Sequence, residues 1–277
     1  MKAAAFDYAR PATLGEALEL LRVGEDSVAL CISGSQSLGP MLNLRLVQPD
    51  LLVDLRGIAA LRECRGEDSA VVLGALTTHT AIEDCAVPDA TRGFMPWVAR
   101  RIAYRAVRNR GTLGGSLAHA DPAADWISLM AVLDAECVVA GPDGERNVPA
   151  ATWMQGAFTT AMEEHDILTA VRIPQLSAKA RWSFYKVNRK PGEFAQAIAA
   201  FVDDPARGIR RAIIGALTGA PHVIQDATPL IDGWDTDFAN TELAAAGLTV
   251  GTYDHQIHAV ALARAARALG QDHGDAR

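Results

Sequence analysis

Short apolar runs separated by turn residues fill this chain, and their period changes along it. Leu14, Leu18 and Leu21 recur at helical spacing behind the capping box Thr13-x-x-Glu16, which predicts a helix. Val28, Leu30 and Ile32 alternate and predict a strand over 28–32. A second short strand is expected over 51–55, giving an early β-α-β arrangement. Residues 70–76 read as a strand, with Thr77 and Thr78 capping a short helix through Ile82, and 93–106 read as helical. Trp126, Leu129, Met130 and Leu133 give the next helix an apolar face, with Asp121 as its N-cap, Pro122 at the first position and Asp125 on the first turn. Strands at 136–140 and 145–148 flank Gly141-Pro142-Asp143-Gly144, a strong hairpin signal.

The last third changes character. Residues 167–173, 181–187, 194–202 and 209–217 read as successive strands, and a helix over 255–269 ends at Gly270. This pattern predicts an antiparallel sheet covered by helices, separate from the α/β-like front, with the boundary near Pro174.

Composition narrows the class. The 277 residues allow two or three compact units, and 49% apolar with 21% charged residues is ordinary for a globular protein. A net charge of −7 without a basic stripe argues against nucleic acid as the main partner. Cys31, Cys64, Cys85 and Cys137 stand far apart, which fits buried thiols and provides no iron–sulfur or zinc signature. Asp7 and Arg10 interrupt any signal-peptide core, and no uncharged run approaches a membrane span, so a cytoplasmic protein is expected.

Candidate chemistry concentrates in residues 110–125. Gly111, Gly114 and Gly115 permit close backbone approach to a ligand. Thr112 and Ser116 add hydroxyls, the makings of an anion cradle, and a glycine loop running into a helix N-terminus suits phosphate. Asp121 and Asp125 suit sugar hydroxyls. A tight turn followed by a capped helix accounts for the same residues, since short glycine motifs recur by chance. A second hydroxyl-rich loop, S-G-S-Q-S-L-G-P over 33–40, follows the first predicted helix and strand. Arg100, Arg101, Arg105, Arg108 and Arg110 cluster ahead of the main loop. They are able to help hold a diphosphate, but such runs more often form a solvated face or pair with local acids. His79 has no neighbours that complete a metal site and is expected to be a satisfied or solvated histidine.

Four stretches in this order carry a resemblance: F-D-Y-A-R-P-A-T-L-G-E-A-L (6–18), S-G-S-Q-S-L-G-P-M-L-N-L-R (33–45), T-L-G-G-S-L-A-H-A-D-P-A-A-D (112–125) and R-K-P-G-E-F-A (189–195). Over nearly its whole length the chain resembles the FAD-binding medium subunit of the molybdenum hydroxylases, the xanthine dehydrogenase and carbon monoxide dehydrogenase family. The resemblance implies an α+β fold. A two-part FAD-binding domain, like that of vanillyl-alcohol oxidase, would span 1–174, in parts of about 1–57 and 58–174. A C-terminal flavoprotein domain, an antiparallel sheet covered by helices, would span 175–277. The resemblance assigns Ser33, Gly34, Ser35, Gln36, Ser37, Leu38, Thr112, Gly114, Gly115, Ser116, His119, Asp121 and Asp125 to the cofactor site, with Leu168, Lys186 and Phe194 towards its adenine or isoalloxazine end. The family's first loop usually reads A-G-G, whereas Ser35 replaces the second glycine here. Phe194 stands where relatives often carry tyrosine. The residues alone also allow Lys186 to be a strand-edge lysine pairing with Glu193 in solvent.

The implied function is electron transfer. A large partner subunit with the molybdopterin cofactor would oxidise the substrate, and a small one would carry two [2Fe–2S] clusters. FAD on this chain would take electrons from the nearer cluster and hand them to an outside acceptor, within a dimer of heterotrimers. No catalytic side chain and no metal ligand set are expected on the chain itself. Two alternatives stand beside this reading. A self-contained flavin oxidoreductase would need a general base facing the flavin, and His79, His119, His165 and His222 offer no convincing one. A non-catalytic assembly subunit with a decayed flavin site is the other. The sequence names neither the substrate at molybdenum nor the acceptor among oxygen, NAD, quinone and cytochrome.

Overall fold

A computed structural model describes residues 2–22 and 27–269. The front of the chain is a small parallel sheet: β1 (Asp7–Ala9), α1 (Leu14–Leu21), β2 (Ala29–Ile32), α2 (Leu38–Asn43) and β3 (Leu51–Asp54), in the order β1-β3-β2. The capping box forms in modified geometry. The Thr13 hydroxyl accepts from Glu16 N at 3.2 Å, while the Glu16 carboxylate accepts from Ala12 N at 2.8 Å. Because all three strands are parallel, their carboxyl ends lie at one edge. There the β2–α2 loop emerges, in the position where open α/β sheets bind ligands.

The second unit follows with β4 (Cys64–Gly66), β5 (Ala70–Gly74), α3 (His79–Glu83), α4 (Phe94–Ala99), α5 (Arg105–Arg108), α6 (Leu113–His119), α7 (Asp125–Val132), β6 (Glu136–Gly141), β7 (Gly144–Pro149), α8 (Ala150–Trp153), a two-stranded β8 (Met154–Gly156) and β9 (Thr159–Thr160), and β10 (Ile167–Pro174). The β6–β7 hairpin forms as the turn residues predict, with Gly144 at φ 114°. Three expectations change here. Residues 93–106 are not one helix, because α4 and α5 are parted where Ala103 adopts φ 43° and its N–H donates to Gly192 O. Residues 167–173 do not join the last sheet, since β10 pairs between β5 and β6 in the order β4-β5-β10-β6-β7. Asp121 is not the N-cap of α7. Its carboxylate closes a local turn on Ala123 N at 2.9 Å, and Ala124 occupies the cap.

The third unit is the antiparallel sheet β11 (Arg181–Val187), β12 (Ala197–Asp204), β13 (Ile209–Gly215), β14 (His222–Ile224), backed by α9 (Thr228–Ile231), α10 (Thr236–Ala245) and α11 (Tyr253–Ala268). β12 starts at Ala197 rather than 194. Gly270, the expected helix stop, lies outside the described residues. Every residue of β12 is buried, and its two faces serve two cores. Ile198, Ala200 and Val202 join Leu129 and Met130 of α7, while Ala197, Ala199 and Phe201 meet Leu243 of α10 and Leu262 of α11. Helix α7 is buried all round for the matching reason: it lies between the second unit and the third sheet. None of the described helices is long and apolar enough to cross a membrane.

Candidate functional site

The β2–α2 loop and the start of α6 meet face to face. Gly34 packs against the Arg110 carbonyl and the Gly111 Cα so closely that any Cβ would collide. The Ser33 and Thr112 hydroxyls lie 3.1 Å apart. A Cβ on Gly115 would stand 2.7 Å from Ser33 Oγ and 2.8 Å from Thr112 Oγ1. Thus Ser33, Gly34, Thr112 and Gly115, drawn from two distant motifs, form one cluster.

The two loops differ in what they can offer an anion. The glycine stretch expected to be an open cradle is the helix α6 itself, and its first N–H groups are used. Leu113 N donates to Thr77 O, Gly114 N to Ala75 O, Gly115 N to the N-cap hydroxyl of Thr112, and Ser116 N to Thr112 O. Its glycines are explained by protein neighbours: Gly111 against the His79 ring, Gly114 against Ala75, and Gly115 against Ser33. The first loop is the opposite case. The N–H groups of Gly34, Ser35, Gln36, Ser37 and Leu38 have no protein acceptor among the described residues. Ser35 takes φ 60° and Ser37 the right-handed helical region. A run of free N–H groups around a left-handed residue is the kind of backbone from which anion-binding concavities are built. Ser35 therefore supports the conformation that glycine usually supplies. The Gln36 amide folds back onto Gly34 O at 2.9 Å and braces the turn.

Asp125 and Lys186 are also brought together, but with each other. Lys186 Nζ stands 3.0 and 2.8 Å from the two Asp125 oxygens, and both side chains are buried. Burial pushes the Asp125 carboxyl above the usual range while the Lys186 charge draws it back. Glu193, the alternative partner for Lys186, pairs instead with Arg189 and Lys190. His119 ends α6 with its ring 5.2 Å from that of Phe158, which is exposed and held at φ 58° by a bond from its N–H to Ala120 O. Ser116 and Asp121 are half-buried beside them, Leu168 is sealed in the main core, and Phe194 is 61% exposed.

The flank of the site was not visible in the sequence. Residues 102–103 receive the 189–195 turn through a bridge between Ile102 and Gly192, and Ala195 N reaches Ala123 O at 3.3 Å. Of the arginine run, Arg105 pairs with Asp84 and Glu83, and Arg108 is buried on Glu83. That is the fate expected of most such runs. Among the described residues no group of His, Cys, Asp and Glu could hold a metal ion.

Comparison with known proteins gives the family. Residues 4–176 match the family described as the FAD binding domain in molybdopterin dehydrogenase. The carbon monoxide dehydrogenase medium chain of Hydrogenophaga pseudoflava is 37% identical over 71% of this chain and 68% of its own length. The nicotine 6-hydroxylase medium subunit of Paenarthrobacter nicotinovorans is 32% identical over 93% and 91%. In three dimensions, a carbon monoxide dehydrogenase structure from Hydrogenophaga pseudoflava matches 97% of this chain and 98% of the matched chain, with a TM-score of 0.87 and 30% identity. Quinoline 2-oxidoreductase of Pseudomonas putida 86 matches 97% and 98% with a TM-score of 0.83 and 33% identity. The chain belongs to the FAD-binding medium subunits of the molybdenum hydroxylase family.

Proposed function

We propose that this chain carries FAD as the electron-transfer subunit of a molybdenum hydroxylase complex, between the [2Fe–2S] clusters of a small partner and an external acceptor. Substrate oxidation would belong to a large molybdenum subunit. The observation that carries the reading is the run of five N–H groups, from Gly34 to Leu38, without protein acceptors. In the absence of a ligand only water can satisfy such a run, and an anionic diphosphate is suited to replace that water. When bound, a flavin takes electrons one at a time and releases them in pairs, and that chemistry is the cofactor's.

The chain's residues hold and shield. The first loop supplies N–H donors, while Ser33 and Thr112 supply hydroxyls where the loops touch. His119 with Phe158 supplies rings suited to stacking on a planar group. The carboxylate of Asp125 is already matched by Lys186, so its part is to fix the start of α7 and the third sheet around the site.

Titrating the apoprotein with FAD tests the reading, with ADP as competitor because it carries the diphosphate without the flavin. FAD should bind stoichiometrically and ADP should displace it. Gly34→Ala, whose Cβ collides with the Arg110 carbonyl, should open the loop contact and lower FAD affinity by at least about tenfold, or 1.4 kcal/mol. Circular dichroism on the same sample should stay unchanged. Full FAD affinity in that variant would remove the loop from the site. Iron and molybdenum in the native complex, carried by other subunits, test the assembly.

A further inference from the structure

Arg101 is a cation held in place with no ion pair among the described residues. Its guanidinium lies 3.3 Å from the centroid of the Trp97 ring, and its Nη1 donates to the Trp97 carbonyl at 2.9 Å. Trp97 packs edge-on against Trp182 and Phe184, so the stack is anchored in the core. No carboxylate lies within ion-pairing distance of Arg101 among the described residues. A guanidinium stacked in this way has already lost its rotamer freedom and keeps donor edges for a planar anion, so binding one costs less.

The surroundings extend the same character. The bridge between Ile102 and Gly192 draws the 189–195 turn against this segment. That turn brings Arg189 and Lys190, 79% and 60% exposed, which share one acid, Glu193. Tyr104 and Phe194 lie next to the two sides of the bridge and are 64% and 61% exposed. Fixed arginine, exposed rings and unbalanced positive charge are the usual anchors of a protein interface. They stand out because the whole chain carries −7.

We infer that this face, centred on Arg101 and the 189–195 turn, docks the acidic surface of a redox protein that exchanges electrons with this subunit. The inference rests on the electron-transfer reading above for the partner's being a redox protein, and on the charges alone for its being acidic. Carboxylates on the partner would meet Arg101, Arg189 and Lys190, and the exposed rings would exclude water around them. Such pairing acts chiefly on encounter and specificity, and it weakens with salt.

The test measures binding rather than turnover. The FAD-loaded full chain is immobilised and exposed to an acidic plant-type ferredoxin, and in parallel to basic cytochrome c of similar size. The net charge of the chain favours the basic protein, whereas the docking face favours the acidic one. We expect ferredoxin to bind at least tenfold tighter at low salt, with the preference shrinking as salt rises. Arg101→Glu and, separately, Arg189→Glu should each weaken ferredoxin binding several-fold. Arg207→Glu, which changes the total charge equally on another face, should not. Arg189 is exposed enough that its replacement leaves folding intact, so a poorly folded Arg101 variant does not void the test. Preference for cytochrome c, or equal losses in all three variants, would overturn the inference. FAD content, read from the flavin spectrum, keeps this outcome distinct from failure of the flavin assignment.

Discussion

His79 shows how one side chain can be fixed by chemistry that sequence only hints at. It is 5% exposed, its backbone N–H donates to Gly111 O, and its ring covers the Gly111 Cα. Trp126 Nε1 lies 3.1 Å from its Nδ1, and an indole nitrogen can only donate. The imidazole is therefore neutral, with its proton on Nε2. Burial, helped by the Arg108 charge, lowers its pKa from 6.5 to about 4. The unfolded chain takes up this proton near pH 6.5, and the folded chain resists until about pH 4. Between those values the unfolded state holds more protons, so stability falls with falling pH, by about 3 kcal/mol in all. Urea unfolding at pH 7, 5.5 and 4.5 should show this loss. His79→Gln, which keeps an acceptor for Trp126 but cannot titrate, should lose less over the same window. Equal slopes in the two proteins would mean that His79 is not a neutral buried group.

At the scale of elements, the site depends on α6 and the first loop fitting together without a Cβ between them. Gly115→Ala should push Ser33 and Thr112 apart and destabilise by about 1–3 kcal/mol, as overpacking does. Ser33→Ala removes one of the two opposing hydroxyls, so the double variant should regain part of the loss in thermal unfolding. Additive losses would show that the alanine is resisted by something else. The sequence was legible where local pattern decides and silent where distant contacts do. Residues 181–187 were readable to the residue because alternation and flanking turns agree. The sequence of the helix at 113–119 reads as a loop, because two glycines depress helix propensity and only the packing of Gly114 on Ala75 reveals why they are there. Helix α10 leaves little apolar pattern in the sequence, since it buries little beyond Ala239 and Leu243. The break at Ala103 is imposed by Gly192, nearly ninety residues on. Likewise the hydroxyls of the first loop mark it as a candidate, yet its value lies in backbone N–H groups without acceptors among the described residues, which composition does not display.

Across the whole molecule, the second and third units are joined by apolar packing of α7 on β12, by the bridge between Ile102 and Gly192 and, among the described residues, by the buried ion pair of Asp125 with Lys186. Their position makes this pair a clasp between units. A charge pair in such surroundings contributes little net stability over apolar groups of like shape, but stranding one member is costly. Lys186→Met should leave the Asp125 carboxylate buried without a cation and destabilise by about 3–5 kcal/mol. Asp125→Asn with Lys186→Met should cost clearly less than the two single changes added, with a coupling of about 1–3 kcal/mol. Urea unfolding of the four proteins gives that coupling directly. FAD titration under conditions where all remain folded then separates a clasp from a ligand. If the pair serves the join between units, the double variant should bind FAD within about tenfold, or 1.4 kcal/mol, of the parent. A larger loss of FAD affinity with no coupling in stability would return Asp125 to the cofactor and remove it from the clasp.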